Sequence, residues 1–149
     1  MNDFDFLAGK WNVHSRRQDK WLVGSTNYEE FTHSFEAWTH FDGSVSFDVG
    51  YFPSRGFSGL TLRLYNPETR EWSIYWVDSR KMALEPPVIG RFVDGVGTFV
   101  GDDTYEGRPI KVRFTWSHDS ADSARWQQEL SDDDGQTWEL NWVMDMTRA

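Results

Sequence analysis

Apolar and polar residues alternate along this chain in short stretches, broken by Gly, Pro, Asn and Asp about every ten residues. Helical spacing is hard to find. The alternation predicts about ten strands, over residues 10–17, 30–39, 44–50, 60–65, 72–79, 88–93, 97–100, 109–117, 124–131 and 136–147. Asp42-Gly43 and Asp94-Gly95 read as turns, and Asn66-Pro67-Glu68-Thr69 as a tight hairpin reversal. Only residues 4–8 and 19–27 leave room for a helical turn. Many strands joined by short turns suit an all-β, antiparallel up-and-down barrel, because closure removes the unpaired edges of an open sheet. A two-sheet sandwich is the competing architecture. At about ten strands a barrel is wide enough to enclose a ligand rather than fill with its own side chains.

The same alternation indicates which face of a strand looks inward. Near the end of the chain Trp138, Leu140, Trp142, Met144 and Met146 share a face, opposite Glu139, Asn141 and Asp145. Leu60, Leu62 and Leu64 share another, as do Val112, Phe114 and Trp116. Phe31, Phe35 and Ala37 take His33 inward with them, and Trp126 and Leu130 take Gln128. Over 72–79 the pattern leaves the inward set open: Trp72, Ile74, Trp76 and Asp78 oppose Tyr75 and Val77.

Composition narrows the class. The 149 residues suit one domain, 1–149, and Pro86-Pro87 reads as a stiff connection rather than a boundary. Nine Trp, eleven Phe and five Tyr call for a large packed interior or a lined cavity. No apolar run is long enough to span a bilayer, and the opening residues lack a secretory pattern. The absence of Cys excludes disulfides, a thiol nucleophile and a cysteine metal site. A cytoplasmic protein without membrane association is the expectation. The net charge of −9 argues against nucleic acid, which needs a concentrated basic surface. Arg16-Arg17 and the basic stretch 108–113 are expected to be solvated strand faces.

Short stretches of the chain carry three resemblances. Gly9-Lys10-Trp11, opening the first strand, resembles the Gly-x-Trp signature of lipocalins, fatty-acid-binding proteins and their calycin relatives. That resemblance implies a calycin-type barrel closed at one end by the Trp, with a late Arg, here Arg148, packed across it in a cation–π contact. Ser131-Asp132-Asp133-Asp134-Gly135-Gln136-Thr137-Trp138 looks like the Asp-box hairpin of sialidase propellers. A single copy cannot make a propeller, so it implies a hairpin lock and no glycosidase. The opening 4–14 and the ending 134–142 are similar to a family of small bacterial proteins with a calycin-like barrel, for which no activity is implied.

Candidate chemistry is sparse. His14, His33, His40 and His118 have no compact metal spacing, no HExxH occurs, and no His falls in the last thirty residues, where haem-binding nitrobindin barrels place their ligand. Asp132-Asp133-Asp134 lacks EF-hand spacing. Neither metal nor cofactor is expected. His33, flanked by Phe31 and Phe35, is the leading cavity residue, either as a proton donor or acceptor or as a core His satisfied by a neighbour such as Gln128. Tyr75, Asp78, Arg91, Gln128 and Trp142 are further ligand-binding candidates, although the phase of Arg91 sets it opposite Phe92. The leading expectation is binding of a small, mainly apolar or aromatic molecule inside the barrel. The alternatives are a cofactor-free isomerase, cyclase or hydrolase using His33 with Asp78, or an interaction protein with a filled barrel. A homodimer through an exposed barrel face is a further expectation.

Overall fold

Ten antiparallel strands close on themselves in a computed structural model that describes residues 2–149. β1 (Gly9–Gln18), β2 (Tyr28–His40), β3 (Val45–Phe52), β4 (Phe57–Asn66) and β5 (Glu71–Asp78) run in chain order around the wall. β6 (Val88–Val93), β7 (Val96–Tyr105), β8 (Arg108–Ser120), β9 (Ser123–Ser131) and β10 (Glu139–Arg148) complete it. β10 then pairs with β1, with Trp11 opposite Arg148 and Arg17 opposite Trp142. The architecture is an up-and-down barrel, compatible with a calycin-like fold, and the sandwich alternative is excluded. Residues 19–27 hold no helix, whereas 4–8 contain a short 3-10 turn, Asp5–Leu7. No helix among the described residues is long and apolar enough to cross a membrane.

That turn plugs one end of the barrel. Phe4 and Leu7 are fully buried, and the Phe4 ring meets Trp72 and Phe92 edge-on at 4.9 and 5.0 Å. The Trp72 indole N–H donates to Asp3 at 2.9 Å, which ties the segment to β5. Behind the plug, the Arg148 guanidinium lies 4.0 Å from the centre of the Trp11 ring, as the Gly-x-Trp resemblance implies. It also donates to the carbonyls of Ala8, Phe6 and Ala121 at 2.5, 2.9 and 2.8 Å, while the Trp11 indole donates to Leu7 O at 2.8 Å. Gly9 is required twice over. Its φ of +116° disfavours a side chain, and a Cβ would sit 2.7 Å from Arg148 Nη1.

The walls of β2, β8 and β9 follow the expected alternation, and β5 turns Trp72, Ile74, Trp76 and Asp78 inward. Two strands depart from it. In β4 the leucines face outward: Leu64 is exposed, Leu60 and Leu62 are half-buried, and Thr61 and Arg63 line the interior. β3 is built the same way, with Ser46 and Asp48 inside and Val45, Phe47, Val49 and Tyr51 outside. Opposed polar groups satisfy each other within, while Trp38, Phe47, Leu62 and Tyr75 form a cross-strand apolar row on the outer surface. In β10 a bulge between Leu140 and Trp142 inserts one residue. It turns Leu140 out to solvent and buries Asn141, against the expected phase.

The Asp-box stretch is the β9–β10 turn, and it moves the start of β10 from 136 to Glu139. Asp133 accepts from the backbone N–H of Thr137 at 2.9 Å, from the Thr137 hydroxyl at 2.5 Å and from the Ser131 hydroxyl at 2.7 Å. These donors hold its carboxyl down at a pKa of about 2. Gly135 has a φ of +85°. Asp133→Ala should lower the melting temperature measurably and leave any ligand affinity unchanged once stability is accounted for. A selective loss of binding would make the hairpin a functional loop.

Candidate binding cavity

Between the plug and the opposite end, the barrel encloses a cavity of about 830 Å³. Its middle is aromatic and apolar, with Phe52, Trp76, Phe114, Trp126 and Met144 on the wall. Gly59 makes room for this: a Cβ there would run into the Trp76 ring. The volume falls in the range typical of small-molecule sites.

His33 lies on this wall and is buried. Its partner is Ser15 rather than Gln128, whose amide instead donates to Asn141 at 3.1 Å. The Ser15 Oγ is 3.0 Å from His33 Nε2, and the Trp142 indole donates to the same Oγ at 3.2 Å. Ser15 is fully buried, so its hydroxyl hydrogen needs an acceptor, and Nε2 is the acceptor in reach. The hydroxyl therefore donates to Nε2, which places the imidazole proton on Nδ1. Nδ1 has no hydrogen-bond partner among the described residues.

Burial pushes the His33 pKa down to about 4, so the ring is neutral at neutral pH. The unfolded chain takes up this proton near pH 6.5 and the folded one only near pH 4. The contribution of this group is then fully present above about pH 6.5, is lost as the pH falls toward 4, and changes no further below it. The loss amounts to about 3 kcal/mol across that window. His33→Phe should flatten this part of the stability–pH curve, while costing about 1–3 kcal/mol at neutral pH because Ser15 loses its acceptor. Chemical denaturation at a series of pH values checks both statements. An unchanged slope in the variant would place the protonation elsewhere.

Deeper toward the plug sits a buried ion pair that the sequence reading missed. Arg63 donates to the Asp48 carboxylate and to the Ser46 hydroxyl, the latter at 3.1 Å. Its guanidinium lies between the Phe4 and Trp116 rings, 5.1 and 5.3 Å from their centres. Burial pushes the Asp48 pKa up, and the attraction of Arg63 opposes that shift. Arg63 Nε and the Trp116 indole N–H, both on buried cavity residues, have no partner among the described residues.

The other candidates divide. Gln128 and Trp142 line the cavity with His33. Asp78 lies toward the open end and is held by Arg80, whose Nε and Nη2 reach its two oxygens at 3.0 and 2.6 Å. That pairing lowers its pKa. Tyr75 and Arg91 are not cavity residues. Tyr75 points outward opposite Leu62, because the inward phase of β5 belongs to Trp76, and Arg91 makes a surface ion pair with Glu71 at 3.3 Å. Arg17 is also not a solvated strand residue. It lines the open end of the cavity, 4.7 Å over the rings of Trp21 and Trp142. In 108–113, Arg108 and Lys111 lie on the solvated face as expected, against Asp132 at 3.4 Å and Asp102 at 2.5 Å, whereas Arg113 is partly buried against Glu129 at 3.0 Å.

No group of three or more His, Asp or Glu residues among the described residues could hold a metal ion. No protein family's profile matches the chain, and no curated protein matches it in sequence.

Proposed function

We propose that the barrel binds one small, mainly apolar or aromatic molecule in this cavity, as calycin-like barrels do. The observation that supports the reading best is the polarity of the unpartnered wall groups. His33 Nδ1–H, Arg63 Nε–H and Trp116 Nε1–H are all donors, on buried side chains of a wall whose middle is aromatic and apolar. An unmet buried donor is unfavourable by about 1–3 kcal/mol, so a ligand carrying carbonyl or ether oxygens is stabilised where a hydrocarbon is not. A proton-transfer enzyme built on His33 and Asp78 has less support. His33 Nε2 is engaged by the Ser15 hydroxyl and the carboxylate of Asp78 by Arg80, so the two are not paired with each other.

Native mass spectrometry of freshly purified protein tests this reading. A bound species in the few-hundred-dalton range, released on denaturation, is the expected result. Protein that stays empty after exposure to a panel of acceptor-bearing aromatic compounds would count against it.

A further inference from the structure

The charged groups around the cavity are not distributed evenly, and their pairing indicates which end of a ligand carries charge. At the deep end Arg63 is neutralised by Asp48, both buried, so a second anion there would lie in a poorly solvated site without a free cation. At the open end the Arg80 fork is committed to Asp78, and Lys81 pairs with Glu85 at 3.5 Å. Arg17 and Arg55 differ. Both guanidinium groups approach one oxygen of Glu29, at 3.8 and 2.5 Å, so two cations share one carboxylate. Arg17 Nε has no partner among the described residues. The two planar groups are fixed against cavity rings, Arg17 over Trp142 at 4.7 Å and Arg55 over Phe31 at 4.5 Å. Burial and the nearby Arg55 lower the Arg17 pKa, although a guanidinium keeps its charge. Across the opening Asp103 is acidic, and Asp102 is paired with Lys111 at 2.5 Å. The excess positive charge therefore lies on the side of the opening formed by β1, β2 and the β3–β4 turn, which carries Arg55.

We propose that the ligand is an organic anion that enters body first, with its aromatic or apolar part in the cavity and its carboxylate or sulfonate on the Arg17–Arg55 pair. This rests on the cavity being a binding site. A planar fork recognises such a group with two parallel hydrogen bonds, which a single shared carboxylate does not exhaust.

A matched pair of fluorescent probes tests the inference: anilinonaphthalenesulfonate and its sulfonate-free parent, phenylnaphthylamine. At low salt the anionic probe should bind roughly tenfold more tightly than the neutral one, the scale of one partly solvated charge contact. Arg55→Gln, and separately Arg17→Gln, should each shrink that ratio toward one. Because the ratio is taken within each folded variant, a change in stability alone does not move it. Equal affinities in the unaltered protein, or a ratio that survives both substitutions, would overturn the anion assignment while leaving the cavity as a site. Binding of neither probe would overturn the cavity reading itself, and this inference with it.

Discussion

Arg63→Ala is expected to destabilise the barrel by about 3–5 kcal/mol, because it strands a buried carboxylate. Asp48 lies against Arg63 with little access to water, and its pKa is already raised by burial. Without the guanidinium it has to take a proton or draw water into the base of the cavity. The flanking Phe4 and Trp116 rings lose their cation at the same time. Removing both charges should do far less harm. The double variant Arg63→Met with Asp48→Leu is expected to recover most of the loss, since an apolar pair of similar volume carries no desolvation penalty. Urea denaturation of the two variants checks this. A double variant as unstable as Arg63→Ala would mean that packing, and not the stranded charge, dominates.

Arg148→Ala should have the next largest effect, a loss of about 2–3 kcal/mol. The side chain does more than stack on Trp11. It satisfies three backbone carbonyls, of Ala8, Phe6 and Ala121, and so fastens the N-terminal plug to the end of the chain. A charged donor contributes about 1.5–3 kcal/mol per hydrogen bond when its partner is desolvated, and partial exposure here brings the sum down. Arg148→Lys should retain the charge but only part of the stability, because one ammonium cannot span three acceptors. Thermal melts distinguish the cases. Equal melting temperatures for Lys and Arg at this position would reduce the contact to simple charge.

Much of this barrel was legible in the sequence, because closure and strand count depend on turn spacing and alternation, which are local. β2, β8 and β9 present their apolar sets inward, and His33 and Gln128 travel with them. β4 misleads for a physical reason. Alternation shows that Leu60, Leu62 and Leu64 share a face but not which face is inside, and a cavity with polar groups removes the usual bias. The signal that resolves it spans two strands: Asp48 and Arg63 fall on the polar phases of adjacent strands, where opposite charges can pair. The β10 bulge is not foreseeable from alternation, because the sequence keeps Leu140 in phase with Trp142 and Met144, and only the pairing with β9 reveals the inserted residue. Ser15 and Arg55 escaped notice, and Arg17 read as solvated, because a serine or an arginine in an alternating strand or a turn is usually solvated. Their roles depend on partners far along the chain, Trp142 above all.

The central claim is that the space inside the barrel is a binding site. The most direct test is a fluorescence titration with phenylnaphthylamine of the unaltered protein and of Met144→Trp, which fills the middle of the cavity from its wall. One saturable site in the unaltered protein, lost in a Met144→Trp variant that still melts cooperatively, is the predicted result. Saturable binding that persists unchanged in the folded, filled variant would place the site outside the barrel and contradict the account.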